Sequence, residues 1–204
     1  MITIIDYGLG NIRAFYTVFE HLKVDVRIAS CAGDLESADK LILPGVGAFD
    51  YAMTRLNESG MRGVLEKKVL HEKVPVLGVC VGMQMLAYSS DEGELPGLGW
   101  IDGRVKRFDP TTIPFKTRFP HMGWNTVIPD AASPLMKDIQ ADSRFYFLHS
   151  YYFENSIPGN RIATTTYGSE FCSAVQHENI FGVQFHPEKS HSNGVKLLHN
   201  FARL

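Results

Sequence analysis

Four short apolar runs before Cys80 limit the architecture open to this chain: Ile2–Ile5, Val24–Ala29, Lys40–Leu43 and Val74–Val79. Between them lie helical patterns, from Asn11 to about His21 and from roughly Ala48 to Glu72 with a break near Ser59-Gly60. Buried strands alternating with helices predict a parallel sheet covered on both faces. After about Leu95 the rhythm changes to shorter strand-like runs split by Gly, Pro, Asn and Asp. These are Gly103–Phe108, Gly123–Ile128, Phe145–Phe153, Arg161–Tyr167, Glu170–His177 and Ile180–Gln184, and they read as antiparallel, with a turn over His177-Glu-Asn-Ile180. A closing helix, about Asn193 to Arg203, presents Val195, Leu197, Leu198 and Phe201 as its apolar face. The expectation is an α/β fold: a mostly parallel central sheet flanked by helices, with an added antiparallel sheet in the second half. A chain of 204 residues without linker or repeat suits one domain over its whole length, residues 1–204.

Composition removes several function classes. A net charge of −2 gives no electrostatic reason to expect nucleic acid or an anionic membrane as partner. No apolar stretch approaches the roughly 18 residues that span a bilayer. The opening Met1-Ile-Thr-Ile-Ile-Asp6 reads as a strand, not a leader, so a soluble, cytoplasmic protein is expected. The three cysteines form no C-x-x-C, and the histidines fall in no metal-ligand order, so neither a metal nor a cofactor is expected. Cys31 and Cys172 read as packing residues, His149 as a satisfied core histidine, and Glu66-Lys67-Lys68 as a solvated helix face. Tyr7-Gly-Leu-Gly-Asn11 follows a strand but lacks the third glycine of a dinucleotide fingerprint.

Three stretches can carry chemistry. In Gly78-Val-Cys-Val-Gly82 an apolar strand delivers Cys80 into a helical pattern running from Val81 to Tyr88, a cysteine version of the nucleophile elbow. A helix N-terminus there would favour a thiolate. In Phe181-Gly-Val-Gln-Phe-His-Pro-Glu188 a strand ends at His186, a candidate base, with Glu188 placed to orient its ring. In Leu41-Ile-Leu-Pro-Gly-Val-Gly47 a glycine-rich turn can present backbone N–H groups of Gly45, Val46 and Gly47 to an oxyanion, with Val81 N–H as the second donor. Taken singly, each stretch also suits a plainer role: core packing, a capped strand end, or an ordinary β-to-α loop.

Together and in this order, Pro44-Gly-Val-Gly47, Gly78-Val-Cys-Val-Gly-Met-Gln84 and Phe185-His-Pro-Glu-Lys189 resemble the class I (triad) glutamine amidotransferases. Pro120-His-Met-Gly-Trp-Asn125, Phe147-Leu-His-Ser-Tyr151 and Ala174-Val175 resemble the branch that serves as glutaminase subunits of imidazole glycerol phosphate synthases. The resemblance runs from Asp6 to Phe201 and implies a flavodoxin-like fold and a Cys80–His186–Glu188 triad that hydrolyses glutamine through a thioester. It implies Val81 and the Gly45-Val46-Gly47 turn as oxyanion donors, the turn presenting its donor poorly until the partner is loaded. Gln84, Ser150 and Tyr151 would hold the amino-acid end of glutamine. The implied partner is a (β/α)8-barrel cyclase subunit, which uses the ammonia to make imidazole glycerol phosphate and the carboxamide ribotide AICAR in histidine biosynthesis. Asn11, Trp124, Tyr146 and Lys189 are the interface or passage residues it suggests, Trp124 being equally suited to the core. Two alternatives stay open: a paralogous glutaminase feeding acetamidino-sugar formation in surface-polysaccharide pathways, and a catalytically silent scaffold subunit. Residue 81 is Val where many relatives carry Leu, a change that spares the backbone N–H.

Overall fold

The structure, a computed structural model, describes residues 1–130 and 132–204. Its first half alternates as the apolar runs require. β1 (Ile2–Ile5), β2 (Val26–Ala29), β3 (Lys40–Gly45) and β4 (Val76–Cys80) lie parallel in the order β2-β1-β3-β4. Neighbouring residues of a strand point to opposite faces, yet every residue of β1 and β4 is buried. Both faces of the sheet are therefore covered. Helix α1 (Ile12–His21) buries Phe15 and Phe19, four residues apart on one stripe. A short α2 (Ala32–Leu35) follows β2, and α3 (Phe49–Glu58) buries Phe49, Ala52, Met53 and Leu56. After the break at Gly60, α4 (Arg62–Glu66) runs into a π-helical turn over Lys67–His71.

The second half builds β5 (Ser89–Ser90), β6 (Gly103–Arg107), β7 (His121–Thr126), β8 (Ile128–Pro129), β9 (Arg144–His149), β10 (Tyr151–Asn155), β11 (Arg161–Tyr167), β12 (Ser169–His177) and β13 (Ile180–Val183). The large sheet continues from β4 as β13-β12-β10-β6-β5, with β11 and β8 branching from β12, while β7 and β9 form a separate antiparallel pair. A single turn, α5 (Val81–Gln84), follows β4, and the chain closes with α6 (His191–Ala202).

β13 departs from the antiparallel expectation in the way that matters most. It pairs antiparallel with β12 but parallel with β4, Ile180 opposite Val76 and Val183 opposite Val79. The reversal at Glu178, whose φ is 50°, lays β13 against the last strand of the parallel half. The residues after Val183 consequently emerge at the same carboxyl-terminal ends of the strands as Cys80, the end where open α/β sheets place their sites.

Other expectations need correction. Phe145–Phe153 is not one strand: it breaks at Ser150, whose carbonyl accepts from Phe108 N–H, so β9 joins the small sheet and β10 the large one. The helix after Cys80 stops at Gln84 instead of reaching Tyr88. The loop from Gly97 to Ile101 folds back and donates to the carbonyls of Met85, Leu86, Ala87 and Tyr88, taking the groups a longer helix would have used. Val195 is exposed, so Gly194, Leu197, Leu198 and Phe201 form the buried stripe of α6. Cys31 is exposed at the start of α2, while Cys172 is buried as expected. Lys68 is buried up to an ammonium that meets Glu72 at 2.8 Å, so that stretch is not simply a solvated face.

Candidate active site

Cys80 is the last residue of β4 and takes φ 56° and ψ −113°, a backbone state that costs a non-glycine residue energy. The flanking glycines are steric necessities. A Cβ on Gly78 would stand 2.6 Å from the carbonyl oxygen of Gly82, and one on Gly82 would run into the Leu43 carbonyl. Gly45 answers the same constraint, since a side chain there would strike the Gly82 nitrogen. It allows β3 to approach α5 and does not form the wall of the cavity. Of the expected oxyanion turn, Val46 and Gly47 do line the cavity, with Val81 facing them. Gly47 has φ +87° and open space around it. Tyr7 Oη donates to the Pro44 carbonyl at 2.7 Å, and Gly10 packs against the Pro44 ring, so the first loop buttresses this turn. Because α5 is only one turn long, its dipole contributes little, and the local N–H groups of the elbow carry the favourable field.

His186 follows β13 and is 3% exposed. Its Nδ1 lies 2.9 Å from Oε1 of Glu188, whose side chain is 1% exposed. Pro187 begins a short 3-10 turn that folds Glu188 back under the imidazole. Ser190 clamps this turn to β9: its Oγ donates to the His186 carbonyl and accepts from Tyr146 N–H, while His186 N–H donates to the Tyr146 carbonyl. Burial acts to lower the pKa of His186, but its hydrogen bonds and charge interactions with Cys80 and Glu188 prevail and raise it to about 10. The imidazole is thus held as a cation beside the Cys80 sulfur, with the carboxylate on its far side.

Cys80 and His186 open into one cavity of about 330 Å³. Gln84, Ser150 and Tyr151, the expected substrate-holding residues, line it together with Lys189, expected at an interface or passage, whereas Glu188 stands behind His186 and out of the wall. The Tyr151 carbonyl accepts from Gln84 Nε2 at 3.1 Å, and the other amide proton of Gln84 meets Gln184 Oε1 at 3.0 Å. Gln84 therefore has only its Oε1 left to offer. Among the described residues no cluster of three or more His, Cys, Asp or Glu could hold a metal ion.

The residues expected at an interface lie outside the cavity, apart from Lys189. Asn11 is exposed before α1. Trp124 is 37% exposed and so is not a core residue; it stacks on His191 at 5.0 Å and meets Tyr146 edge-on at 6.1 Å. Lys189 Nζ sits 5.8 Å from the centre of the Tyr146 ring, linking this surface array to the Pro187–Lys189 turn.

Sequence reasoning missed several residues here. Glu92 lines the cavity and accepts from Phe49 N–H at the start of α3, 2.9 Å away. In Asp91-Glu-Gly-Glu94 nothing separates it from a solvated loop acid. Gln184, fully buried, places Nε2 3.8 Å from Cys80 Sγ. Its position two residues before His186 was the only signal, and it needed the parallel pairing of β13 with β4 to acquire meaning.

A strand-borne cysteine, a neighbouring-strand histidine and its carboxylate are the parts of a triad amidotransferase. Over residues 3–204 the chain matches the family described as glutamine amidotransferase class-I, and it belongs to that family. It is 56% identical over 204 residues to the imidazole glycerol phosphate synthase subunit HisH of Bdellovibrio bacteriovorus, each chain covered in full. It is 50% identical to the subunit of the same name from Leptospira borgpetersenii, again over the full length of both. Against subunit HisH 2 of Pseudomonas aeruginosa the identity is 45%, also over both full lengths. A solved glutamine amidotransferase superposes with a TM-score of 0.76 at 17% identity, covering 100% of this chain and 99% of that one. The structure of PurLQS from Thermotoga maritima gives 0.74 at 16% identity, covering 99% and 96%. The solved structures share the fold. No helix among the described residues is long and apolar enough to cross a membrane.

Proposed function

We propose that this chain is the glutaminase subunit of an imidazole glycerol phosphate synthase, working in the cytoplasm as one domain with a (β/α)8-barrel cyclase subunit. The observation that carries the reading is the arrival of Cys80 and His186 from adjacent parallel strands in one cavity, with Glu188 Oε1 2.9 Å from the imidazole. Full-length relatives bearing that subunit name support the choice of acceptor pathway.

In this mechanism the Cys80 thiolate attacks the side-chain carbonyl carbon of glutamine, forming a C–S bond and a tetrahedral oxyanion. Backbone N–H groups of Val81 and of the Val46–Gly47 turn receive the oxyanion. The C–N bond breaks as His186 gives its proton to the departing nitrogen, releasing ammonia and leaving a glutamyl thioester. His186, now neutral, takes a proton from water, which attacks the thioester and frees glutamate and the thiol. Glu188 keeps the ring oriented and balances its charge. Gln84 Oε1 and the Glu92 carboxylate supply acceptors for the α-ammonium of glutamine, and the Ser150–Tyr151 backbone closes that end of the site.

Ammonia acts as a nucleophile only while unprotonated, so it must reach its acceptor without mixing with bulk water. The array of exposed Trp124 and Lys189 around half-buried Tyr146, beside the catalytic turn, together with Asn11, is the face we assign to the cyclase. The deciding assay measures glutamate release by the complex with the histidine-pathway ribulosyl acceptor bound. Cys80→Ala should abolish it, and undiminished release would remove Cys80 from the mechanism. Stimulation by a nucleotide-linked sugar acceptor in place of the ribulosyl compound would instead establish the polysaccharide paralogue.

A further inference from the structure

A buried hydrogen-bond chain runs from the small β7–β9 sheet to the nucleophile, and its direction is forced from a single carbonyl. The Tyr151 oxygen can only accept, so the proton of the 2.7 Å contact with His149 resides on His149 Nδ1. A neutral His149 then has a bare Nε2, and His121 Nδ1, 2.9 Å from it, must be the donor. His121 Nε2 is bare in turn and accepts from Asn125 Nδ2 at 3.1 Å. The second proton on that amide goes to the Thr166 carbonyl at 2.9 Å, and Asn125 Oδ1 accepts from Thr126 N–H. Every donor meets an acceptor, and neither ring needs a charge.

The surroundings enforce neutrality. His121 and His149 are cross-strand partners, both buried. His121 is stacked between Tyr167 and Phe147, with centroids at 4.1 and 4.7 Å, and His149 lies 5.4 Å from both Phe108 and Phe171. Burial in this aromatic box holds His149 down to about 3 and His121 to about 4. The other tautomer of His149 would set the lone pair of Nδ1 against that of the Tyr151 oxygen.

On its far side the same carbonyl takes a second bond, from Gln84 Nε2, which fixes which end of the Gln84 amide is nitrogen. The remaining Gln84 proton occupies Gln184 Oε1, so Gln184 turns its Nε2 toward Cys80 Sγ, 3.8 Å away. We propose that His121 and His149, both protonated at Nδ1, are positioning residues for the nucleophile: they anchor the Tyr151 carbonyl, which orients Gln84 and through it the N–H that Gln184 aims at Cys80. The effect on turnover rests on the glutaminase reading; the placement of the protons and the effect on sulfur reactivity do not.

The test uses the full chain in complex with its cyclase subunit. Histidine side-chain nitrogen spectra should show two rings protonated at Nδ1 and bare at Nε2, assigned by their loss in His121→Phe and His149→Phe. Alkylation of Cys80 by iodoacetamide and kcat/KM for glutamine should both fall about tenfold in His149→Phe, the effect of one lost orienting hydrogen bond. His149→Asn, whose amide N–H reaches the place of Nδ1–H, should restore most of both; His149→Gln, which extends its amide toward the place of Nε2, should not. Either ring found protonated at Nε2, or alkylation unchanged in a folded His149→Phe complex, would overturn the proposal. If His149→Phe does not fold, the parent tautomers and the Asn/Gln contrast decide it. A parent complex that released no glutamate, yet showed both Nδ1–H rings and the alkylation response, would sink the glutaminase reading and leave the positioning role standing.

Discussion

Nδ1 of His186 lies 2.9 Å from Oε1 of Glu188, while the second oxygen of that buried carboxylate, Oε2, has no partner among the described residues. One hydrogen bond to His186 therefore carries the whole side-chain satisfaction of Glu188, and through it the orientation of the imidazole.

Glu188→Gln should keep the shape and lose the charge, lowering kcat of the complex by about a hundredfold or more, as loss of an orienting carboxylate does in comparable triads. Stability should respond to pH as well. His186 has a folded-state pKa near 10, above the ordinary histidine value of 6.5. Its contribution to folding is full below about pH 6.5 and disappears as pH rises through about 10. Thermal denaturation across pH 6 to 10 should show that decline in the parent, and a shallower one in Glu188→Gln. Equal slopes would show that Glu188 does not set the charge of His186.

Cys80→Gly should be more stable than Cys80→Ala, because glycine enters the φ 56° state without the penalty that Cys and Ala share. The difference should be about 1 kcal/mol, read from denaturant midpoints. A less stable glycine variant would mean that the elbow stores no strain.

Glu92→Gln should raise KM for glutamine by about tenfold or more and change kcat much less, since Glu92 lines the cavity and the proposed mechanism gives its carboxylate the α-ammonium and not the reacting carbon. Steady-state kinetics separate the two. A fall in kcat at constant KM would place Glu92 in the chemical step.

Gly82→Ala and Gly47→Ala should diverge. The first drives a methyl into the Leu43 carbonyl and should cost about 4 kcal/mol or more, showing as loss of soluble protein. The second meets open space and only a φ of +87°, costing about 1 kcal/mol. Soluble yield and Tm would check both.

Trp124→Ala should leave Tm within a degree or two of the parent, because the side chain is 37% exposed, yet weaken binding of the cyclase subunit by about thirtyfold, as an interface anchor does. Calorimetric titration of one subunit with the other measures this. Unchanged affinity would move the interface off this face.

Much of this molecule is legible in its residues alone. The four early apolar runs became β1 to β4, because buried parallel strands demand continuous hydrophobic residues and little else produces them at that spacing. Cys80, His186 and Glu188 were readable as candidates for a related reason: a cysteine on a tight turn needs small neighbours, and a histidine with a carboxylate two residues on is a local pattern. What stayed hidden depends on partners far along the chain. The elbow helix stops after one turn because the Gly97–Ile101 loop claims its carbonyls, and Phe145–Phe153 breaks at Ser150 because its halves pair with different sheets. Gln184 and the His121–His149 pair gain their neighbours only when β13 lies parallel to β4 and β7 pairs with β9, and Glu92 reaches the cavity only through its contact with the start of α3. Periodicity, turns and the local Cys80 and His186-Pro-Glu188 patterns belong to the order of the residues, because short-range sterics and burial set them, while their meeting waits on the pairing of β13 with β4. Which carbonyl each buried polar group must satisfy belongs to the folded chain, because a hydrogen bond's direction is imposed by the partner that folding brings to it.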